Sequence, residues 1–124
     1  MTILNLTQHP ATAEQKKAGV EDLTGDRLEL LKKLLTFEEL PTQVEVEARA
    51  AAIAYLAKSV EFNVSEAMIG GAPYLMAPLE YQLRSHCVMP VYAFSKRVSE
   101  EHTMPDGTVQ KVNVFKHAGF VRAE

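Results

Sequence analysis

The stretch EAMIGGAPYLMAPLE, residues 66–80, decides how this chain is read. A short apolar run, Ala67-Met68-Ile69, meets Gly70, Gly71 and Pro73, and then apolar residues recur at helical spacing. Short apolar runs bounded by glycine read as buried strands, so the expectation is a strand at 67–70, a tight loop and a helix. Pro78 bears on where that helix starts. Inside a helix it lacks an N–H and crowds the carbonyl four residues back. It therefore predicts a start at Tyr74 or later and leaves 70–73 as a loop. The next segment, VMPVYAFSKR (residues 88–97), is again an apolar run that turns polar at its end. Strand, glycine loop, helix and strand make a βαβ unit, which predicts two parallel strands joined by a right-handed crossover.

The same alternation extends upstream. TILNL (residues 2–6) reads as a buried strand that ends in the turn-like TQHP. A capping box follows, Thr12 with Gln15, and Gly19 occupies a helix C-cap position. VEDL (residues 20–23) is a candidate second strand. Asp26 with Glu29 repeats the cap signature before RLELLKKLL, where Leu28, Leu31 and Leu35 share a face; Thr42 with Glu45 repeats it once more after Pro41. The helix after Thr42 places Val44, Ala48, Ala51, Ala52, Tyr55 and Leu56 at helical spacing, with Glu45 four residues before Arg49. Downstream, TMPDGTV supplies a Pro-Asp-Gly reversal, so 97–103 and 108–116 read as a β-hairpin. Both hairpin segments carry polar residues on both faces, which places the hairpin at an edge, on a projecting arm or at a subunit contact. The expected fold class is α/β: one domain with a largely parallel central sheet and a C-terminal β-hairpin.

Composition bounds the function. The chain has 124 residues, a net charge of −3 and one cysteine, Cys87. That charge argues against coating long nucleic acid, which needs a basic surface, but not against a small nucleotide in one pocket. No apolar run approaches a membrane span, and the N-terminus lacks the basic region and cleavage site of a signal peptide, so the expected setting is cytoplasmic, with no membrane partner. A lone cysteine excludes an internal disulfide. No zinc motif, Walker loop, paired carboxylates or Ser-His-Asp pattern occurs, so no metal or cofactor is expected. Cys87 is expected as a buried or half-buried thiol, Met68, Met76 and Met89 as core, His86 as a helix C-terminal residue, and His102 and His117 as solvated surface.

Open α/β sheets bind ligands outside the carboxyl ends of their strands. Two loops leave parallel-type strands there, TQHPAT and GGAP. Gly70 and Gly71 allow a ligand to approach the backbone closely, with Ala72 leading into helix amides that bind anions; the competing reading is a compact strand-to-helix turn. His9 follows a buried strand at the ligand edge, where a near-neutral titration is useful; the competing reading is a turn residue before Pro10. Ser95, Lys96 and Arg97 end the strand after the glycine loop, and Lys96 or Arg97 is a candidate phosphate contact against the alternative of a solvated edge.

At LTQHPATAEQKKAGVEDL the chain resembles the small CRISPR-associated proteins of the ring nuclease group, in which the first strand ends in a Thr-x-His-Pro turn followed by a short helix, a glycine and a second strand. That group resembles the CARF domains, Rossmann-like dimers that bind cyclic oligoadenylates across the subunit interface; some members cleave these messengers, others sequester them, and some are carried by phages. The resemblance assigns Thr7, His9 and Pro10 to the ligand loop; Gln8 between them, also a candidate ligand contact, stands where a basic residue is expected in the family. It implies a homodimer and metal-independent opening of the ring through the substrate 2′-hydroxyl, with His9 as the catalytic residue. Two other classes stay open: a non-catalytic sponge with the same pocket, and an interaction protein with no nucleotide ligand.

Overall fold

The protein is described by a computed structural model over residues 2–60 and 63–124. Five strands and four helices alternate in the order β1 (Ile3–Asn5), α1 (Ala13–Lys17), β2 (Val20–Asp22), α2 (Gly25–Leu35), α3 (Gln43–Lys58), β3 (Glu66–Met68), α4 (Pro73–Ser85), β4 (Met89–Thr103) and β5 (Val109–Arg122). They form one sheet of order β2-β1-β3-β4-β5, parallel throughout except for the antiparallel β4–β5 pair. The fold is thus α/β with a mostly parallel sheet and a C-terminal hairpin. Among the described residues no helix is long and apolar enough to cross a membrane.

The parallel strands are short because their apolar runs are short, and β1 and β3 are buried on both faces, whereas β2 at the edge exposes Glu21. One face contributes Leu4, Ala67 and Ile69 to a core with Leu31, Ile53, Leu75 and Leu79 from the long helices. The other face gathers Ile3, Val20, Met68 and Val91 around Ala11, with Met89 and Phe120 packed against them. Local signals act as expected in α1. Thr12 Oγ1 accepts from Gln15 N at 3.1 Å, and Gln15 Oε1 accepts from Thr12 N at 3.0 Å. Thr42 likewise caps α3 through Glu45 N.

Four expectations about the helices and their caps are corrected. Helix α3 buries Val46, Ala50, Ile53, Ala54, Leu56 and Ala57, while Val44 and Tyr55 are 76% and 75% exposed. A helix so rich in alanine offers several apolar faces, and packing against its neighbours selects the one with Ile53. Helix α2 is capped at Thr24, without a side-chain hydrogen bond, and Asp26 lies within its first turn. Helix α4 starts at Pro73 and contains Pro78 in its interior; Pro73 at the first position loses nothing, since that N–H has no intrahelical acceptor. Cys87 is exposed, with φ of +61°. It follows the α4 cap in a Schellman motif: Val88 N donates to Leu83 O at 2.9 Å and Cys87 N to Arg84 O at 3.0 Å.

The expected strand at 88–96 and the first hairpin strand are one continuous element. β4 runs from Met89 to Thr103 and pairs with β5 from Val91↔Arg122 to Thr103↔Val109. Between Phe94↔Gly119 and Ser95↔His117 the register slips, leaving Ala118 as a bulge beside Gly119 at φ +149°. Beyond it the two strands project past the carboxyl ends of β1 and β3 with their residues exposed or half-buried. Of the expected surface histidines, His102 is exposed. His117 instead is half-buried against Phe120, ring centroids 4.8 Å apart, with Nδ1 buried and unpaired.

Candidate functional site

Chain direction creates the site. From β1 the chain passes through α1 to β2 on one side, and from β3 it passes through α4 to β4 on the other. Helical connections that depart in opposite directions leave a crevice between the carboxyl ends of β1 and β3. A cleft of about 500 Å³ lies there, lined by Thr7, Gln8, His9 and Pro10 from one loop, Gly70 and Gly71 from the other, and Tyr92 and Ala93 from β4.

The loop after β1 is held by a residue that periodicity passes over. Asn5 is the one buried polar residue among those described, 3% exposed. Its Nδ2 donates to His9 O and to Asp22 Oδ1, both at 2.8 Å. Its Oδ1 accepts from Thr7 N at 2.9 Å and Thr7 Oγ1 at 2.7 Å. Asp22 Oδ1 also accepts from Ala11 N at 3.0 Å. Two strands and the whole TQHPA turn are thereby tied together through the side chains of Asn5 and Asp22. Thr7 and the His9 carbonyl point inward to Asn5, and the His9 side chain is exposed at the cleft. On the far side of the same loop a smaller cavity of about 270 Å³ is lined by Thr7, Gln8, His9, Pro10, Asp22 and Lys32, among others. His9 therefore borders two cavities, and Lys32 places a cation on the second.

The glycine loop is built differently. Gly71 has φ of +142°, a conformation L side chains rarely adopt, while a Cβ there would lie 3.8 Å from Met76 Cε, an ordinary contact. Its glycine is required by backbone conformation and not by crowding. Gly70 has ordinary φ, and a Cβ on it would stand 3.5 Å from Thr7 Cγ2, so the two loops are already in contact. Ala72 caps α4 without a side-chain acceptor, and the first helical turn carries no acidic residue, which leaves the positive end of that helix uncompensated. The floor includes Tyr92, whose hydroxyl donates to Glu80 Oε2 at 2.5 Å. Burial first, and then the Glu80 carboxylate, raise its pKa well above the usual phenol range. Glu80 in turn lies 3.6 Å from Arg84.

The structure thus brings Thr7, Gln8, His9, Pro10, Gly70 and Gly71 into one cleft, with Ala72 adjoining. It does not bring Ser95, Lys96 and Arg97 there: the lining ends at Ala93, and these three stand farther out on β4, where the Arg97 guanidinium lies 5.3 Å from the Phe115 ring centroid. Asn5, Asp22, Lys32 and Tyr92 escaped the sequence reading. The one available signal was Asn5 itself, a lone polar residue inside the apolar run TILNL. No cluster of three metal-ligating side chains occurs among the described residues.

Residues 1–121 match the sequence profile of the uncharacterized protein MJ1673 family, and the chain belongs to that family. No curated protein and no solved structure gives a significant match.

Proposed function

We propose that the cleft between the β1–α1 and β3–α4 loops binds a cyclic oligoadenylate and opens its ring at one phosphodiester. The observation that carries this reading is the convergence of the TQHP and Gly-Gly loops at the topological switch point, with His9 as the exposed titratable side chain between them. The 2′-hydroxyl attacks the adjacent phosphorus and the bond to the 5′-oxygen breaks, leaving a 2′,3′-cyclic phosphate and a 5′-hydroxyl. Water takes the proton from the 2′-oxygen, and His9, in its protonated form, donates one to the departing 5′-oxygen. The Asn5–Asp22 network holds the His9 backbone in place, which serves the in-line geometry such a displacement needs.

One observation favours sequestration as a second reading. Among the described residues the cleft lining holds no lysine, arginine or carboxylate, and Tyr92 donates its hydroxyl hydrogen to Glu80, so this cleft offers His9 no second group for proton transfer. Incubating the protein with labelled cyclic oligoadenylates separates the readings. Linear products that fall about a hundredfold in His9→Ala support cleavage; tight binding without products supports a sponge; neither binding nor products with any ring size overturns both.

A further inference from the structure

The hairpin arm poses a physical problem independent of the ligand reading. β5 is an edge strand of 14 residues with no proline, and a two-stranded ribbon alone in water is marginal. Phe115 and Val109 are 67% and 59% exposed on it. Long edges of this kind offer unpaired N–H and C=O groups as a template for another strand.

The ladder fixes which groups those are. Met104 N donates to Thr108 O at 2.7 Å at the turn, and Ala123 N donates to Pro90 O at 2.9 Å at the base. Bonded and non-bonded pairs alternate in an antiparallel ladder. With the register of β4 and β5, both ends place Val109, Lys111, Asn113, Phe115 and His117 in non-bonded pairs, so their backbone groups point to the open edge. The turn at Asp106-Gly107 limits this segment on one side and the Ala118 bulge on the other. Its midpoint is Asn113.

We propose that the open edge pairs with the β5 edge of a second copy, antiparallel, about a two-fold axis at Asn113. A two-fold axis normal to a sheet must pass through a self-paired residue, because opposed side chains have to lie on the same face. Centring it on Asn113 uses the whole open segment. Val109 of one copy then faces His117 of the other, and Lys111 faces Phe115, adding a cation to a ring already stacked by Arg97. On the opposite face Val112 meets Val114, and Gln110 meets Lys116, whose ammonium is held 2.6 Å from Glu100. No like charges oppose each other, whereas centring on Lys111 would set lysine against lysine. The result is a four-stranded antiparallel layer joining two bodies.

The test is oligomeric state by light scattering over a concentration series, without added ligand. Wild type is expected to be a dimer. Asn113→Pro is expected to be a folded monomer with unchanged circular dichroism, because the N–H it removes points away from β4. Should that variant unfold, cysteine pairing replaces it, in a Cys87→Ser background. Asn113→Cys should oxidise to a covalent dimer, its Cα atoms about 5.5 Å from their mates as in a bonded pair, and Val109→Cys should not. A monomeric wild type overturns the proposal. So does a dimer that survives Asn113→Pro, or one in which Val109→Cys cross-links as readily as Asn113→Cys.

Discussion

The parallel half of the sheet and the hairpin arm are built from the same kind of strand by opposite means. β1 and β3 are three residues each, yet almost every side chain in them is buried between layers. β4 and β5 are 15 and 14 residues long, and beyond the bulge their residues are exposed or half-buried. In the first region stability comes from packing and one polar network; in the second, from ladder hydrogen bonds and side chains on an open ribbon. The difference shows why the cleft lies where it does: loops that must hold a fixed shape leave the region that cannot deform.

If that contrast is right, mutations in the two regions should differ in scale. Leu79→Ala, at a fully buried α4 position, should cost about 2–5 kcal/mol. Val98→Ala on the arm should cost less than about 1 kcal/mol, because a half-exposed valine loses little transfer energy and leaves no cavity. Denaturant unfolding of both variants checks this, and equal losses would mean that the arm is packed against something in solution.

Asn5→Leu should come next, at about 2–3 kcal/mol, because the carbonyl of His9 and the carboxylate of Asp22 lose a donor and Thr7 loses its acceptor. The arm should not register this change: amide exchange should accelerate in residues 7–11 and stay constant in 98–114.

Gly71→Val should cost about 1–3 kcal/mol through its left-handed φ, whereas Gly70→Ala should be tolerated within about 0.5 kcal/mol. The pair separates conformational demand from steric demand at the same loop.

How far the sequence foretold this contrast depends on what signalled each part. The apolar runs and glycines of residues 2–6 and 66–71 made the parallel strands legible, and Thr12-Gln15 and Thr42-Glu45 marked two helix starts. The face of α3 was not legible, since alanine fits a buried or an exposed position equally well. Nor was the join of β4 to the hairpin, because the shift from apolar to polar at Ser95 marks departure from the body and not the end of a strand. The two loops that line the cleft were legible from their positions after strands. Asn5 and Tyr92 were missed because their importance lies in Asp22 and Glu80, 17 and 12 residues away, and Lys96 and Arg97 were assigned to a cleft that β4 has already left.

A smaller effect concerns pH. The Tyr92 phenol is raised in the folded protein, by burial and by Glu80, so its contribution to stability is complete below the unfolded phenol value of about 10 and is lost as pH rises above it. Melting temperature should decline in alkaline buffer, and Tyr92→Phe should flatten part of that decline. On the arm, Lys116 and then His102 hold the Glu100 carboxyl below its usual range. Its contribution is present above the unfolded carboxyl value and is lost as pH falls through the folded one. Acidification should therefore loosen residues 96–116 in amide exchange without shifting the global melt.

The most direct measurement of the central claim, that the cleft between the two loops is a nucleotide site, is calorimetric unfolding with a panel of cyclic oligoadenylates. One ring size at a hundred times its dissociation constant should stabilise wild type by about 2.7 kcal/mol, and Gly71→Val, compared with its own ligand-free melt, should lose most of that gain. Stabilisation that Gly71→Val retains in full, or no stabilisation of wild type by any ring, would contradict the account.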